Sequence, residues 1–158
     1  MTNKKEGMGM NGQVNMVLRD RFGFIKEERS GPNVVTNNGI ATIVKRVCGE
    51  ASNAWTHIAI GSSSTSAVVT DTTLKAEITT NGGGRDTSTV SSETTSTTDD
   101  TIQLISGWNF TGALSIRESG VFNAGAAGDM LCRQTFTLLS VDNGDSLTIT
   151  WKVQLDQA

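Results

Sequence analysis

The residues that could do chemistry in this chain are few, and the first is its single histidine. His57 lies at the start of the segment THIAIGSSSTSAVVTDTTL, in which a short apolar run is followed by Gly, Ser and Thr. A histidine can activate a serine, and a glycine-rich loop can hold phosphate. However, the loop lacks the second glycine and the lysine of a phosphate-binding loop, and Thr65 stands where a nucleophile elbow requires glycine. The segment therefore indicates the end of a strand, and we predict no catalytic residue.

Metal-ligating residues are equally sparse. Asp99 and Asp100 are adjacent, and the segment DNGD at 142–145 carries two further carboxylates, but neither has the ligand spacing of a calcium loop. Turn formation explains both segments. Cys48 and Cys132 are two isolated cysteines among apolar neighbours, so we expect reduced, buried thiols, with a disulfide as the lesser possibility. We predict no metal site and no cofactor.

A charged pair in the segment SIRESGVFNA is a candidate interaction site. Alternation along a strand places Ile116, Glu118 and Gly120 on one face, with Arg117 and Ser119 on the other. A glutamate in the middle of a strand is costly unless it is paired or exposed. Glu118 is therefore expected to take part in a structural salt bridge or an intersubunit contact, and Arg117 and Glu118 are both candidate interaction residues.

The elements that must position these residues are mostly strands. Abundant Thr, Ser, Val and Ile, 17 glycines and one proline favour a mainly β class. The one helix is predicted near residues 38–48, because Ile40, Ile43, Val44 and Val47 share a face that should pack on a sheet. Thr36, Asn37 or Asn38 can cap its start, and Gly49 can cap its end. A short helical turn is a further possibility at 71–78. Strands are predicted in a hairpin over 13–29, in AWTHIAIG, and over 85–94, 101–110, 112–124, 130–141 and 146–155.

Seven to nine short strands separated by turns predict an antiparallel β-sandwich or barrel-like domain. The length of 158 residues suits one domain, which we place at 13–158. Residues 1–12 are polar and glycine-rich, and we expect an extended or flexible N-terminal arm. Met8 and Met10 are its candidate interaction residues, since methionine fills irregular grooves. A solvated tail is the alternative.

Charge and hydropathy exclude two classes of partner. The net charge is −3 and the basic residues are scattered, which argues against direct nucleic-acid binding. No stretch approaches the run of about 18 apolar residues that a membrane helix requires, so no membrane partner is expected.

Four segments together resemble a known class. They are NVVTNNGIATIVKRVCG, WTHIAIGSSSTSAVVTDTTLKAEI, SIRESGVFNAGAAGDMLCRQTF and GDSLTITWKVQL. Their order and motifs are similar to those of virion structural proteins of tailed bacteriophages, over about residues 14–155. The shared motifs are N-x-V-T-N-x-G, I-A-I-G-[ST] followed by T-D-T-x-L, I-x-E-[SA]-G-[LV]-F-[ND], and G-D-x-L-x-[IV]-x-W. They contain no catalytic residue.

The resemblance implies a noncatalytic capsid decoration (cement) protein of the virion, made in the host cytoplasm and located on the capsid surface. Its expected partners are the major capsid protein and identical subunits, as a homo-oligomer with a trimer favoured. A tail-fibre or tail-tip component that contacts the host is the alternative. A hydrolytic or carbohydrate-active enzyme is a minor alternative.

Overall fold

A computed structural model of the chain describes residues 7–50 and 52–157. These residues form ten strands and one helix. In chain order they are β1 (Met8–Arg19), β2 (Ile25–Pro32), β3 (Val34–Val35), α1 (Asn37–Val47), β4 (His57–Gly61), β5 (Asp86–Thr87), β6 (Thr89–Glu93), β7 (Thr101–Asn109), β8 (Leu114–Phe122), β9 (Met130–Val141) and β10 (Ser146–Gln157). The count exceeds the predicted seven to nine because β3 and β5 are two-residue strands.

The strands form two five-stranded antiparallel sheets. Sheet A has the strand order β2-β1-β10-β7-β6, and sheet B has the order β3-β9-β8-β4-β5. The sheets do not close into a barrel. Of the two predicted architectures, the mainly β sandwich is therefore the observed one.

The core lies between the sheets and follows from strand alternation. On β10, every second residue from Leu147 to Val153 is fully buried. Trp151 lies between Val14 of β1 and Leu104 of β7 in the strand register, and all three side chains are removed from solvent. Burial of each such side chain contributes about 1.5–3 kcal/mol.

At both edges of the sandwich, a single residue connects an edge strand of one sheet to an edge strand of the other. Asn33 joins β2 of sheet A to β3 of sheet B, and Ser88 joins β5 of sheet B to β6 of sheet A. The predicted strand over 85–94 is therefore divided at Ser88. Its hydroxyl is 2.8 Å from the Ser106 hydroxyl, and its N–H donates to the Thr56 carbonyl at 2.7 Å. These crossings shorten the sheet edges to which another chain could add.

The N-terminal boundary differs from the prediction. β1 begins at Met8, and residues 8–12 pair with β10 from Gln157 to Val153. The expectation of an arm is wrong for residues 8–12, because the long β10 continues past Trp151 and offers them a complete ladder. The part of the predicted arm at 1–6 lies outside the described residues.

The helix lies where the sequence predicts it, with the expected caps. The Thr36 hydroxyl accepts the Gly39 N–H at 2.9 Å and donates to the Met130 carbonyl at 2.7 Å. At the other end Gly49 has a positive φ of 75°, a conformation that glycine adopts without strain. Thr36 thus both starts α1 and attaches it to β9.

The segment 62–78, which we call the covering loop, leaves β4 and returns to it. The Ser62 N–H donates to the Ala76 carbonyl at 2.9 Å, and the Ile78 N–H donates to the Ile60 carbonyl at 2.9 Å. The helical turn considered at 71–78 is not formed, because Glu77 makes a β-bridge to Gly61 instead.

Candidate functional site

The covering loop is held against sheet B by a charged residue that the sequence analysis did not single out. Arg133 on β9 is fully buried, and it donates to Glu118 Oε2 from Nη2 at 2.7 Å and from Nε at 2.9 Å. It also donates to the carbonyls of Thr65 at 2.8 Å and Ser66 at 3.3 Å. An arginine directly after the apolar residues Met-Leu-Cys was the available signal, since a buried charge requires a partner.

Asp71 is the second carboxylate of this cluster. Its Oδ2 lies 2.8 Å from Arg133 Nη1 and accepts the Val68 N–H at 2.9 Å, while its Oδ1 lies 2.7 Å from Lys75 Nζ. Burial by itself raises the pKa of Asp71. The hydrogen bonds from Lys75, from the Val68 N–H and from Arg133 outweigh burial, so the pKa lies below its ordinary value. Asp71 therefore remains ionised beside Arg133.

Glu118 completes the attachment through the loop backbone. Its Oε1 accepts the Ala76 N–H at 2.7 Å and its Oε2 accepts the Lys75 N–H at 3.1 Å. We call Asp71, Glu118 and Arg133 the buried ionic cluster. Of the two roles considered for Glu118, the structural salt bridge is observed, with Arg133 rather than Arg117 as its partner. The intersubunit contact is wrong for Glu118, because its side chain is fully buried.

The faces assigned around Arg117 also need correction. The pairing of β8 with β9 shifts between Ile116, which pairs with Leu139, and Glu118, which pairs with Thr135, so Arg117 alone on β8 lies opposite three residues of β9. This irregularity interrupts alternation: Ile116 packs in the core between the sheets, whereas Glu118 and Gly120 lie under the covering loop. Arg117 itself is half-buried and makes no salt bridge within the described part of the chain.

A second arginine fastens the end of the covering loop. Arg85 forms a bidentate pair with Glu77, at 2.6 Å and 2.9 Å, and donates to the carbonyls of Ala124 and Ala127. Its guanidinium lies 3.7 Å from the centroid of the Phe122 ring. Arg85 therefore joins the covering loop to the turn after β8.

His57 is packed and hydrogen-bonded. Its Nδ1 lies 2.9 Å from the Thr56 hydroxyl and its Nε2 lies 3.3 Å from the Thr87 hydroxyl. Neither contact supplies the serine and carboxylate of a hydrolytic triad. The Gly/Ser/Thr segment after β4 runs into the covering loop, as expected of a strand end.

The acidic segments organise turns. The Asp100 carboxylate accepts the N–H groups of Thr95, Ser96 and Thr97, and these bonds hold its pKa far below the ordinary value. Among residues 7–50 and 52–157, no group of three or more His, Cys, Asp or Glu residues is placed to hold a metal ion.

Asp145, in the DNGD turn, is buried beside Lys26, with Nζ 2.5 Å from Oδ2. Burial raises the pKa of Asp145. The hydrogen bonds from Lys26 and from the Asp142 N–H lower the pKa by more than burial raises it, so the pKa lies below the ordinary value. The hydrogen bond to Asp145 correspondingly raises the pKa of Lys26. This pair anchors β2 to the last hairpin.

The two cysteines differ from each other. Both are free thiols, so the disulfide is absent between these two described residues. Cys132 is buried as expected, and burial raises its pKa well above the ordinary value. Cys48 is exposed, which contradicts the expectation that it is buried, because it caps the end of a helix whose last turn faces solvent.

The packing face of α1 agrees with the expectation only at Ile43, which is partly buried against the core. Gly39 and Thr42 are buried against β9, whereas Ile40, Val44 and Val47 point outward, Val47 with 84% of its surface exposed. The reason is the close approach of α1 to sheet B. A Cβ on Gly39 would lie 2.8 Å from the Leu131 Cα, so only the smallest side chains fit there.

The outward face of α1 adjoins a groove at the start of β1. We call it the apolar groove; its lining residues are Met8, Met10, Asn33, Val34, Val35, Ile40 and Val69. Met8 is 72% exposed and Met10 is half-buried. Contiguous apolar surface of this kind commonly marks an interaction site. The structure thus brings Met8 and Met10 together at one surface and places Arg117 and Glu118 elsewhere.

A second apolar surface is the turn between β1 and β2. Phe22 is 77% exposed and Phe24 is 72% exposed, and Ile25 beside them is half exposed. We call these three residues the aromatic tip. The sequence analysis assigned this segment to a turn and did not anticipate its exposed rings.

A third surface is polar. A groove at one end of sheet A is lined by side chains that include Asn11, Gln13, Ser30, Thr95, Lys152 and Gln154. We call it the polar groove. Gln13 and Lys152 are direct cross-strand neighbours on its floor, and neither forms a side-chain hydrogen bond within the described residues. Lys152 supplies an ammonium group to an otherwise uncharged set.

No protein-family model matches this chain, and no curated protein matches it either. Within the described ranges, no helix is long and apolar enough to cross a membrane.

Proposed function

We propose that this chain is a noncatalytic structural protein of a bacteriophage particle, namely a capsid decoration protein on the outer surface of the shell. The observation that carries the proposal is the exposed apolar surface formed by the groove and the outward face of α1. Leaving such a surface in water is unfavourable, and covering it favours association with another protein.

The motifs that suggested the class support a structural role. Thr36 and Gly39 from the first motif contact Met130 and Leu131 of β9. Asp71 from the second motif and Glu118 from the third both bind Arg133, two residues further along β9. Three separate motifs thus meet within residues 130–133 of one strand, and each supplies packing or charge pairing rather than a reactive group.

Decoration would stabilise the shell by mass action. A protein that binds the assembled shell but not its dissociated subunits lowers the free energy of the shell by about RT ln(1 + [L]/Kd) at each site. The net charge of −3 suits a position away from packaged DNA. The partners would be the major capsid protein and identical subunits, with a trimer favoured among closed symmetric assemblies.

Electron microscopy of particles purified from a host that produces the chain tests the proposal. We expect many copies on the shell, and substitution of Val44 and Val47 with serine should reduce their number. Val90→Ser is the matched control, because Val90 is an exposed valine on β6. Absence of the protein from the shell of particles that contain it elsewhere would overturn the proposal.

The polar groove favours a second candidate, a tail-fibre or tail-tip component that contacts the host. The Gln13 amide and the Lys152 ammonium there form no side-chain hydrogen bond within the described residues and could bind a polar surface ligand. The same microscopy separates the two candidates, since a tail component occurs in few copies at the tail. Lys152→Gln should weaken attachment to host cells only if the second candidate holds.

A further inference from the structure

We infer that the aromatic tip of one copy docks into the apolar groove of a second copy of this chain. The inference deepens the proposed function and rests on it, because it names the surface through which identical subunits of a virion protein meet. It commits to a second copy because one chain carries both an apolar protrusion and an apolar hollow.

The aromatic tip is held rigidly before any partner arrives. Asp20 Oδ1 accepts the N–H groups of Phe22 at 2.8 Å and Phe24 at 3.0 Å, and the Asp20 N–H donates to the Phe24 carbonyl. Gly23 adopts a positive φ of 89°, and its carbonyl accepts a hydrogen bond from Arg19. A preorganised protrusion loses little conformational entropy on binding, which favours association.

The apolar groove has the size and chemistry to receive the tip. Its volume of about 500 Å³ lies within the usual range of binding pockets, so two phenyl rings can enter. Among residues 7–50 and 52–157, no charged residue lines it, so docking desolvates no ion of that part of the chain. Met8 and Met10 supply flexible thioether side chains, which adapt to the shape of an aromatic ring.

The two surfaces cannot meet within one molecule. They lie at opposite ends of β1, and a strand of this length spans about 36 Å at roughly 3.3 Å per residue. The contact therefore requires a second copy, and it is heterologous where each copy uses its tip on one neighbour and its groove on another. Such contacts close into a ring when the rotation between copies permits, and a threefold ring would give the trimer.

The contact is expected to be weak in solution. Full burial of an aromatic side chain removes about 150–250 Å² from water, so the tip supplies only on the order of 400 Å². With a similar area from the groove, the contact buries about 800 Å² in total, below the roughly 1,200 Å² of stable specific interfaces. Association should accordingly rise with protein concentration rather than be complete at dilution.

A complementation experiment tests the inference with the full chain. The tip variant carries Phe22→Ser and Phe24→Ser, the groove variant carries Ile40→Ser and Val69→Ser, and Val90→Ser is the control. Sedimentation velocity at rising concentration should show that wild type and control self-associate and that each double variant stays monomeric. An equimolar mixture of the two double variants should form a 1:1 dimer and nothing larger, because only one intact tip–groove pair remains.

Several results would overturn the inference: a wild type that stays monomeric at the highest soluble concentration, a double variant that associates like wild type, or a mixture that forms no dimer. If the tip variant does not fold, the single variant Phe24→Ser replaces it. If the groove variant does not fold, Ile40→Ser replaces it. A measurement of binding to the particle distinguishes failure of the inferred contact between copies from failure of the proposed decoration function. A monomeric wild type that still binds the shell contradicts only the inference, whereas an associating wild type that does not bind contradicts only the function.

Discussion

The outer faces of the two sheets are built on opposite principles. The outer face of sheet B is covered by the covering loop, and the contact includes the buried ionic cluster of Asp71, Glu118 and Arg133. The outer face of sheet A is open, and its central strands present amides and hydroxyls such as Asn15 and Thr150 to solvent. Charge on the covered face must be paired in full, whereas polar groups on the open face can be satisfied by water.

Polar residues on the outer face of sheet B stabilise the fold, whereas those on the outer face of sheet A remain free to contact water or a ligand. Removal of one charge from the covered face leaves its ionic partners buried with too few counter-charges. The same kind of change on the open face alters only a solvated surface. The losses in the free energy of unfolding caused by substitutions on the two faces should therefore differ by several kcal/mol. The expected losses are largest on the covered face and smallest on the open face.

The largest effect is expected for Arg133→Met. The substitution preserves an apolar stem but leaves Glu118 buried without a cation and Asp71 paired with Lys75 alone, so the free energy of unfolding should fall by about 3–5 kcal/mol. Lys152→Met on the open face is the matched control, with a change within about 0.5 kcal/mol. Urea denaturation measures both.

A triple variant sharpens this prediction. Asp71→Asn, Glu118→Gln and Arg133→Met together remove every charge of the cluster, so the protein should be more stable than with Arg133→Met alone. Equal losses for Arg133→Met and Lys152→Met would show that the two faces do not differ as described.

A smaller effect is expected where α1 packs on sheet B. Gly39→Ala places a methyl group against the Leu131 backbone, and the forced displacement of the helix should cost about 1–3 kcal/mol. Gly84→Ala is the control, because a Cβ at Gly84 meets no atom within 4 Å. Thermal unfolding should give a lower Tm for Gly39→Ala only. An unchanged Tm would mean that the helix does not depend on close approach at Gly39.

The pH dependence of stability should also distinguish the faces. The folded pKa of Asp71 is below its ordinary value, so its ionic contacts stabilise the protein above the unfolded pKa of about 3.9 and are lost as pH falls through the folded pKa. The stability difference between wild type and Asp71→Asn should therefore shrink between pH 7 and pH 2. Glu28→Gln, on β2 of sheet A, should change stability little at neutral pH; a difference for Asp71→Asn that stays constant with pH would contradict the assignment.

The smallest effect is expected on the open face. Asn15 of β1 lies between Thr150 and Ser30 in the sheet register, and its side chain makes no hydrogen bond to another described side chain. Asn15→Ala should therefore change the free energy of unfolding by no more than about 0.5 kcal/mol. A loss above 1.5 kcal/mol, measured by urea denaturation, would show that the open face contributes to stability like the covered one.

Much of the fold could be predicted from local patterns. Alternation between Leu147 and Val153 predicted β10, and the Thr36 and Gly49 caps predicted the ends of α1. The pattern over 130–141 matched β9. Prediction failed where a strand changes sheet, as at Ser88, because the break depends on which sheet lies nearby rather than on the residues themselves.

The candidate site was less predictable. Glu118 could be recognised as a residue that needs a partner, but its partner Arg133 lies on another strand and could not be identified. The shift in register between β8 and β9 around Arg117 places Ile116 and Glu118 on opposite faces, and no local pattern predicts it. Met8 and Met10 were recognised as candidate contact residues by type alone, and their common groove became visible only in the structure.

The sequence by itself determined the mainly β class, an antiparallel sandwich or barrel, and the position of the helix, because alternation, capping and turn formation act between residues close in the chain. Only the tertiary structure decided that Arg133 meets Asp71, 62 residues away, and that α1 packs through Gly39 and Thr42 rather than through its valines. The physical reason is the same in both cases. Close packing selects the smallest side chains where backbones approach, and burial selects whichever distant charge completes the pairing.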